Sequence, residues 1–255
     1  MMQMIKSRLD QFLGRGHAAV TVPSLDGALK PNNRLEEAAE GISGDAPDNL
    51  VLFNGQPVWS EGALIFSGRD KTLLVQMKSD VTAMAVSTAG DLAVALLEGG
   101  IQMLDVKGEL KKSFTAPELS CVTSMVFVAP ETLVVAVGST VNPITDWARD
   151  LLEQRSSGQI VVLDTISGHL NVIAKNLAFP SGLLRAADGS LIVSEAWACQ
   201  LLQIDLSSGQ KISVMEDLSP TRLTSTRIVR MLTSSTLCRN GNARQPPVKK
   251  IPCPP

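Results

Sequence analysis

The stretch Phe179–Gly209, FPSGLLRAADGSLIVSEAWACQLLQIDLSSG, decides the fold. Two short runs of alternating apolar residues flank Asp188-Gly189, and a third ends at Asp205 before a second turn. Asp-Gly between alternating runs is a strong short-range hairpin signal. Three earlier segments follow the same plan: NLVLFNGQPVWSEGALIF from Asn49, VTAMAVSTAGDLAVALLEGGIQMLDVKGEL from Val81, and VTSMVFVAPETLVVAVGS from Val122. Their turns fall at Asn54-Gly55, Ala89-Gly90-Asp91 and Ala129-Pro130-Glu131. Asp105 and Asp164 end third strands as Asp205 does, and such residues cap turns by accepting backbone N–H groups.

Measured at Gly55, Gly90, Glu131 and Gly189, the spacings are 35, 41 and 58 residues. The third unit carries a 17-residue insertion, NPITDWARDLLEQRSSG, and without it the last spacing is also 41. About 40 residues per unit with four strands each is the period of a β-propeller, in which a blade cannot bury both apolar faces alone and must stack on neighbours. Within the insertion Ile144, Trp147, Leu151 and Leu152 stand at helical spacing, with Asp146 and Asp150 early and Arg155 late, the order a helix dipole favours. A short helix on the channel face and a long surface loop are both compatible with it.

Composition sets outer bounds. The chain has 255 residues, 44% hydrophobic and 19% charged, which suits a globular domain rather than a disordered one. Aromatics make up 4%, with no Tyr, and the net charge is −2, so a base-stacking or polyanion-binding surface is not expected. No apolar run approaches the length of a membrane span, and the N-terminus has no signal-peptide pattern. The four cysteines (Cys121, Cys199, Cys238, Cys253) have neither metal-site pairing nor a disulfide-framework spacing, so free thiols in a reducing cytoplasm are expected. The two histidines, His17 and His169, give no support for a His-based nucleophile relay.

With DWARDLLEQRSSGQIVVLD, NLAFPSGLL and DGSLIVSEAWACQLLQIDL in one register, Ala46–Asp217 resembles the strictosidine synthase-like branch of the calcium-dependent six-bladed propellers, relatives of gluconolactonases and paraoxonases. The resemblance rests on Asp150-Leu151-Leu152-Glu153-Gln154-Arg155, on Phe179-Pro180-Ser181-Gly182 and on Glu195-Ala196-Trp197. It implies an all-β fold of the six-bladed type with about four blades present and a short helical insertion. The segments are a leader over 1–45, blades over 46–80, 81–121, 122–178 and 179–217, and a tail over 218–255.

The resemblance implies a small-molecule ligand in the central channel, and an ancestral hydrolase of lactones or esters or a C–N lyase-type enzyme. The catalytic Glu of strictosidine synthases lies in a last blade that no segment here matches, so catalytic residues are unassigned and the chain as written is expected to lack turnover. The alternative is a propeller binding module without catalysis. Relatives hold calcium with Glu, Asn and Asp at inner strand ends. The equivalent places here carry Asp48 and Asn49, which suit a hard cation, then Thr123 and Ser124 where an Asn-Asp pair is expected, and Ser181 where Asn is expected. Glu61 and Glu195 share a repeat position, either as paired carboxylates facing the channel or as strand-end residues making local bonds. Trp59, Trp147 and Trp197 are read as packing residues.

From Leu218 the pattern breaks. The last 38 residues hold seven basic residues and no acid, whereas the first 217 carry a net charge of −9. A gene lesion such as a frameshift is the expectation, and a basic tail for an acidic partner the alternative. Four blades leave two apolar faces to cover, so self-association through open blade edges is also expected.

Overall fold

The computed structural model describes Glu37 and residues 41–216. The chain divides into two units, Met1–Gly41 and Ile42–Pro255, and all structure below belongs to the second. Most of the leader, the 218–255 tail, His17, Cys238 and Cys253 lie outside the described residues.

Sixteen strands form four antiparallel four-stranded sheets, each in plain up-and-down order. The first sheet contains β1 (Asp48–Phe53), β2 (Gln56–Glu61), β3 (Leu64–Ser67) and β4 (Thr72–Gln76). The second contains β5 (Val81–Val86), β6 (Leu92–Leu96), β7 (Ile101–Leu104) and β8 (Leu110–Phe114). The third contains β9 (Val122–Ala129), β10 (Thr132–Val137), β11 (Gly158–Asp164) and β12 (Leu170–Leu177), and the fourth β13 (Pro180–Arg185), β14 (Leu191–Glu195), β15 (Gln200–Ile204) and β16 (Lys211–Met215). The first strands sit side by side, β1 on β5, β5 on β9 and β9 on β13, so the sheets fan out from a shared inner edge. This is an all-β propeller arrangement of four blades.

Local sequence explains the hairpins. Asn54 and Gly55 both take positive φ (50° and 73°), as a two-residue turn matching strand twist demands. Asp105, Asp164 and Asp205 behave as the repeat predicts, each accepting backbone N–H groups two to four residues ahead. The Ser207 hydroxyl and the Ser208 N–H hold the Asp205 carboxyl at about 2.

Three apolar layers join the blades. Phe53, Val58 and Ile65 of blade 1 meet Met84, Leu92 and Val94 of blade 2. Ala93 and Ala95 of blade 2 meet Leu133, Val135 and Val137 of blade 3, and Val134, Ala136 and Ile160 of blade 3 meet Leu183, Leu191 and Val193 of blade 4. Second strands therefore bury both faces: every residue of β6 is buried, and all of β10 except Thr132. That is why these strands read as continuous apolar runs rather than alternating ones. Each such side chain contributes about 1.5–3 kcal/mol on leaving water.

The insertion is helical. A 3-10 turn over Ile144–Asp146 leads into α1 (Trp147–Glu153), which stops where Gln154 takes left-handed φ of 50°. Its buried residue is not the apolar stripe but Asp150, at 0% exposure, while Trp147 and Leu152 are exposed. Hydrogen bonding to neighbouring elements, rather than burial of its apolar side, holds α1 down. Among the described residues no helix is long and apolar enough to cross a membrane.

Candidate functional site

The site begins with a repeated irregularity. Each inner strand carries one extra residue near its start, relative to the second strand it pairs with. In blade 1 the bulge spans Asn49-Leu50; in blades 2, 3 and 4 the extra residue is Thr82, Thr123 and Ser181. A bulge re-aims a side chain out of the strand's alternation. Asn49 also takes left-handed φ of 49°, which Asn tolerates better than most residues. All four residues line one cleft of about 330 Å³, together with Asp48, Ser124 and the apolar Ala83, Met84 and Met125.

The bulged side chains stitch blade to blade. Asn49 Nδ2 donates to Ser60 Oγ in its own blade and to the carbonyl of Val81, the first residue of β5 (3.2 Å each). Thr123 Oγ1 lies 3.1 Å from the carbonyl of Ala136 and 2.6 Å from that of Pro180, the first residue of β13. Ser181 and Ser194 share a hydroxyl bond of 3.1 Å. By the same pattern Thr82 should reach Val122, the first residue of β9. It does not: Thr82 Oγ1 is buried and has no partner among the described residues. A buried hydroxyl left unpaired costs about 1–3 kcal/mol, so its setting calls for an explanation.

Five sequence candidates thus come together in the cleft: Asp48, Asn49, Thr123, Ser124 and Ser181. Thr82 was missed. The signal existed in the register of VTAMAV against VTSMVF, where Thr82 and Thr123 occupy the same place. Glu61 and Glu195 do not line the cleft and form no carboxylate pair. Glu61 accepts from Lys71 Nζ (2.8 Å) and Trp59 Nε1 (3.0 Å), and the lysine and the indole together lower its pKa. Glu195, 3% exposed, accepts the Ala178 N–H at 2.6 Å and the Gln200 side-chain amide. The strand-end reading describes both.

Calcium fits this donor set poorly. Asp48 is the one carboxylate lining the cleft, and it is exposed. Thr123 and the Asn49 amide are engaged in bonds between blades. A six-to-eight-oxygen shell with carboxylate charge is not assembled, and no cluster of three His, Cys, Asp or Glu exists among the described residues. No Lys, Arg or His lines the cleft either. Among the described residues the one side chain of the lining that can serve as a base is the exposed Asp48 carboxylate. What the arrangement can do is hydrogen-bond a neutral, oxygen-bearing molecule over an apolar floor.

Beside this face, Trp197 lies 4.5 Å from Phe179 and 6.3 Å from Trp147, centroid to centroid, and Trp59 stacks on Phe66. Trp59 and Trp197 pack as the sequence suggests, while Trp147 is half exposed. Cys121 is a buried thiol, and burial raises its pKa.

Structural comparison defines the class as a β-propeller. The chain is similar to virginiamycin B lyase from Staphylococcus aureus, with a TM-score of 0.52 and 15% identity over 69% of this chain and 57% of that one. It is similar to a structure from a nidogen/laminin complex, with a TM-score of 0.54 and 14% identity over 68% and 65%. A gluconolactonase gives a TM-score of 0.50 and 12% identity over 68% and 64%. At these identities the likeness establishes the fold alone, and the chain spans less than two thirds of each neighbour's length. No protein-family model matches the chain, and no curated protein matches it.

Proposed function

We propose that these four blades belong to a small-molecule propeller of hydrolase or lyase type, related to the strictosidine synthase-like and gluconolactonase-like proteins. Its ligand is a neutral lactone or ester held in the cleft between the inner strands. The single observation that carries this reading is the ring of bulged polar residues, Asn49, Thr82, Thr123 and Ser181, with the Thr82 hydroxyl left for a ligand to satisfy. The lyase and gluconolactonase among the structural neighbours support it loosely. The six-bladed type belongs to the same proposal.

The cleft's own residues bind rather than turn over. The Thr82 hydroxyl is closed off from water, so a ligand carbonyl or ring oxygen accepts from it only by wedging between the inner strands, where the Ala83, Met84 and Met125 side chains exclude water from its apolar side. The absence of a base paired with a nucleophile among the lining residues favours, as second reading, a non-catalytic binding module. The buried Cys121 thiol supports a reducing, cytoplasmic location under either reading. An assay with phenyl acetate and δ-valerolactone separates the two. Saturable binding with hydrolysis above the buffer rate supports the enzyme, binding without hydrolysis supports the module, and no binding removes both.

A further inference from the structure

A cavity of about 520 Å³ lies in blade 3, between the segment after α1, the start of β11 and the end of β12. Thr140, Arg155, Ser156, Gln159 and Lys175 are in its lining, and no acidic residue is. It shares no residue with the cleft of the inner strands. Gln159 is 7% exposed, and its side-chain amide has no hydrogen-bond partner among the described residues. Repeat equivalence explains why. Gln159 and Gln200 each face the last residue of the second strand of their blade. In blade 4 that residue is Glu195, and the Gln200 amide donates to its carboxylate. In blade 3 it is Val137, whose side chain has no acceptor. The Gln159 amide keeps two N–H donors and a carbonyl, and such groups, nearly buried, are costly to leave unmet.

We propose that this cavity binds an oxyanion of the phosphate type. The inference is independent of the ligand reading above. Charge identifies the ligand class. Lys175 is exposed and forms no ion pair among the described residues. Arg155 gives Nε to Glu153 at 2.8 Å, which leaves its two Nη groups for a ligand. A further cation stands close by, since Lys211 Nζ donates to the Lys175 carbonyl at 2.8 Å. Lys175 and Arg155 supply charge-assisted bonds, and the Gln159 N–H groups and the Ser156 hydroxyl supply neutral donors. These donors come from three separate backbone segments. Such an arrangement suits a tetrahedral anion, with oxygens in several directions, better than a planar carboxylate.

Titrating the full 255-residue chain with sodium phosphate at constant ionic strength, followed by amide chemical shifts, tests the site. Sodium acetate serves as the planar comparator. Saturable shifts are expected at Ser156, Ser157, Gln159 and Asn176, with acetate about tenfold weaker than phosphate. Gln159→Leu and Lys175→Met are each expected to weaken phosphate about tenfold while circular dichroism shows the native strand content. Lys175 is exposed, so Lys175→Met carries the test should Gln159→Leu fail to fold. Shifts that do not saturate, shifts that gather at Lys107, Lys111 and Lys112 instead, acetate binding equal to phosphate, or phosphate affinity unchanged in Lys175→Met overturns the inference.

Discussion

The indole N–H of Trp197 donates to Oδ1 of Asp150 across 2.9 Å, tying α1 of blade 3 to the β14–β15 turn of blade 4. Oδ2 of the same carboxylate accepts the side-chain amide of Asn142 at 3.0 Å. Asp150 is fully buried, so this residue anchors the insertion from both ends. Replacing it with Ala strands the part-buried Trp197 indole N–H and leaves the Asn142 amide with Glu153 as its carboxylate acceptor, each lost bond costing about 1–3 kcal/mol. Asp150→Ala is expected to lose about 2–4 kcal/mol in a urea melt. A loss within experimental error would mean that α1 is held by something else.

Thr82 and Thr123 occupy the same bulge position in neighbouring blades and should respond oppositely to loss of their hydroxyls. Thr123→Val removes bonds to Ala136 and Pro180 and is expected to cost about 1–2 kcal/mol. Thr82→Val removes a hydroxyl with no partner among the described residues, so stability should hold within about 0.5 kcal/mol or rise. Equal losses at both positions in chemical denaturation would show that Thr82 has a structural partner.

Acid should act through a short set of carboxylates. The Asn142 amide, then the Arg149 and Arg155 guanidinium groups, pull Glu153 from its ordinary 4.5 to about 2, and Asp205 also sits at about 2. Groups depressed in the folded state stabilise it above their unfolded values and lose that contribution as pH falls through the folded ones. Melting temperature is therefore expected to drop between pH 4.5 and 2, and the drop to be shallower in Glu153→Gln with Asp205→Asn. An acid limb unchanged by both substitutions contradicts this account.

Calcium should matter little. With one exposed carboxylate in the cleft, millimolar calcium is expected to leave the thermal midpoint where chelator leaves it. A rise of several degrees on adding calcium, abolished in Asp48→Asn, would restore the metal to this site.

Much of the fold was legible because turn chemistry and periodicity are local. Asn54-Gly55, Asp188-Gly189 and the Asp105, Asp164 and Asp205 turns announce the hairpins without knowledge of packing. The inner-strand positions Asp48, Asn49, Thr123, Ser124 and Ser181 were reached through the family resemblance, as the places where relatives hold calcium. What sequence could not show is orientation set by distant partners. The helical spacing of Ile144, Trp147 and Leu151 points to an apolar buried side, yet Asp150 is the buried residue because Trp197, 47 positions away, supplies a donor. Glu61 and Glu195 look like a pair through repeat symmetry, but each is taken up by its own neighbours, Lys71 and Trp59 in one case, Ala178 and Gln200 in the other. Thr82 aligns with Thr123 in the repeat, but that its hydroxyl lacks the bonds Thr123 makes has no signature in composition or spacing.

The central claim is that the bulged residues form one ligand-binding ring, and amide chemical-shift mapping with δ-valerolactone tests it most directly. The account predicts saturable shifts clustered at Asn49, Thr82, Thr123 and Ser181, weakened about tenfold in Thr82→Val, in line with about 1.4 kcal/mol for one lost hydrogen bond. Shifts that cluster at the opposite strand ends, or that are unchanged by Thr82→Val, would contradict it.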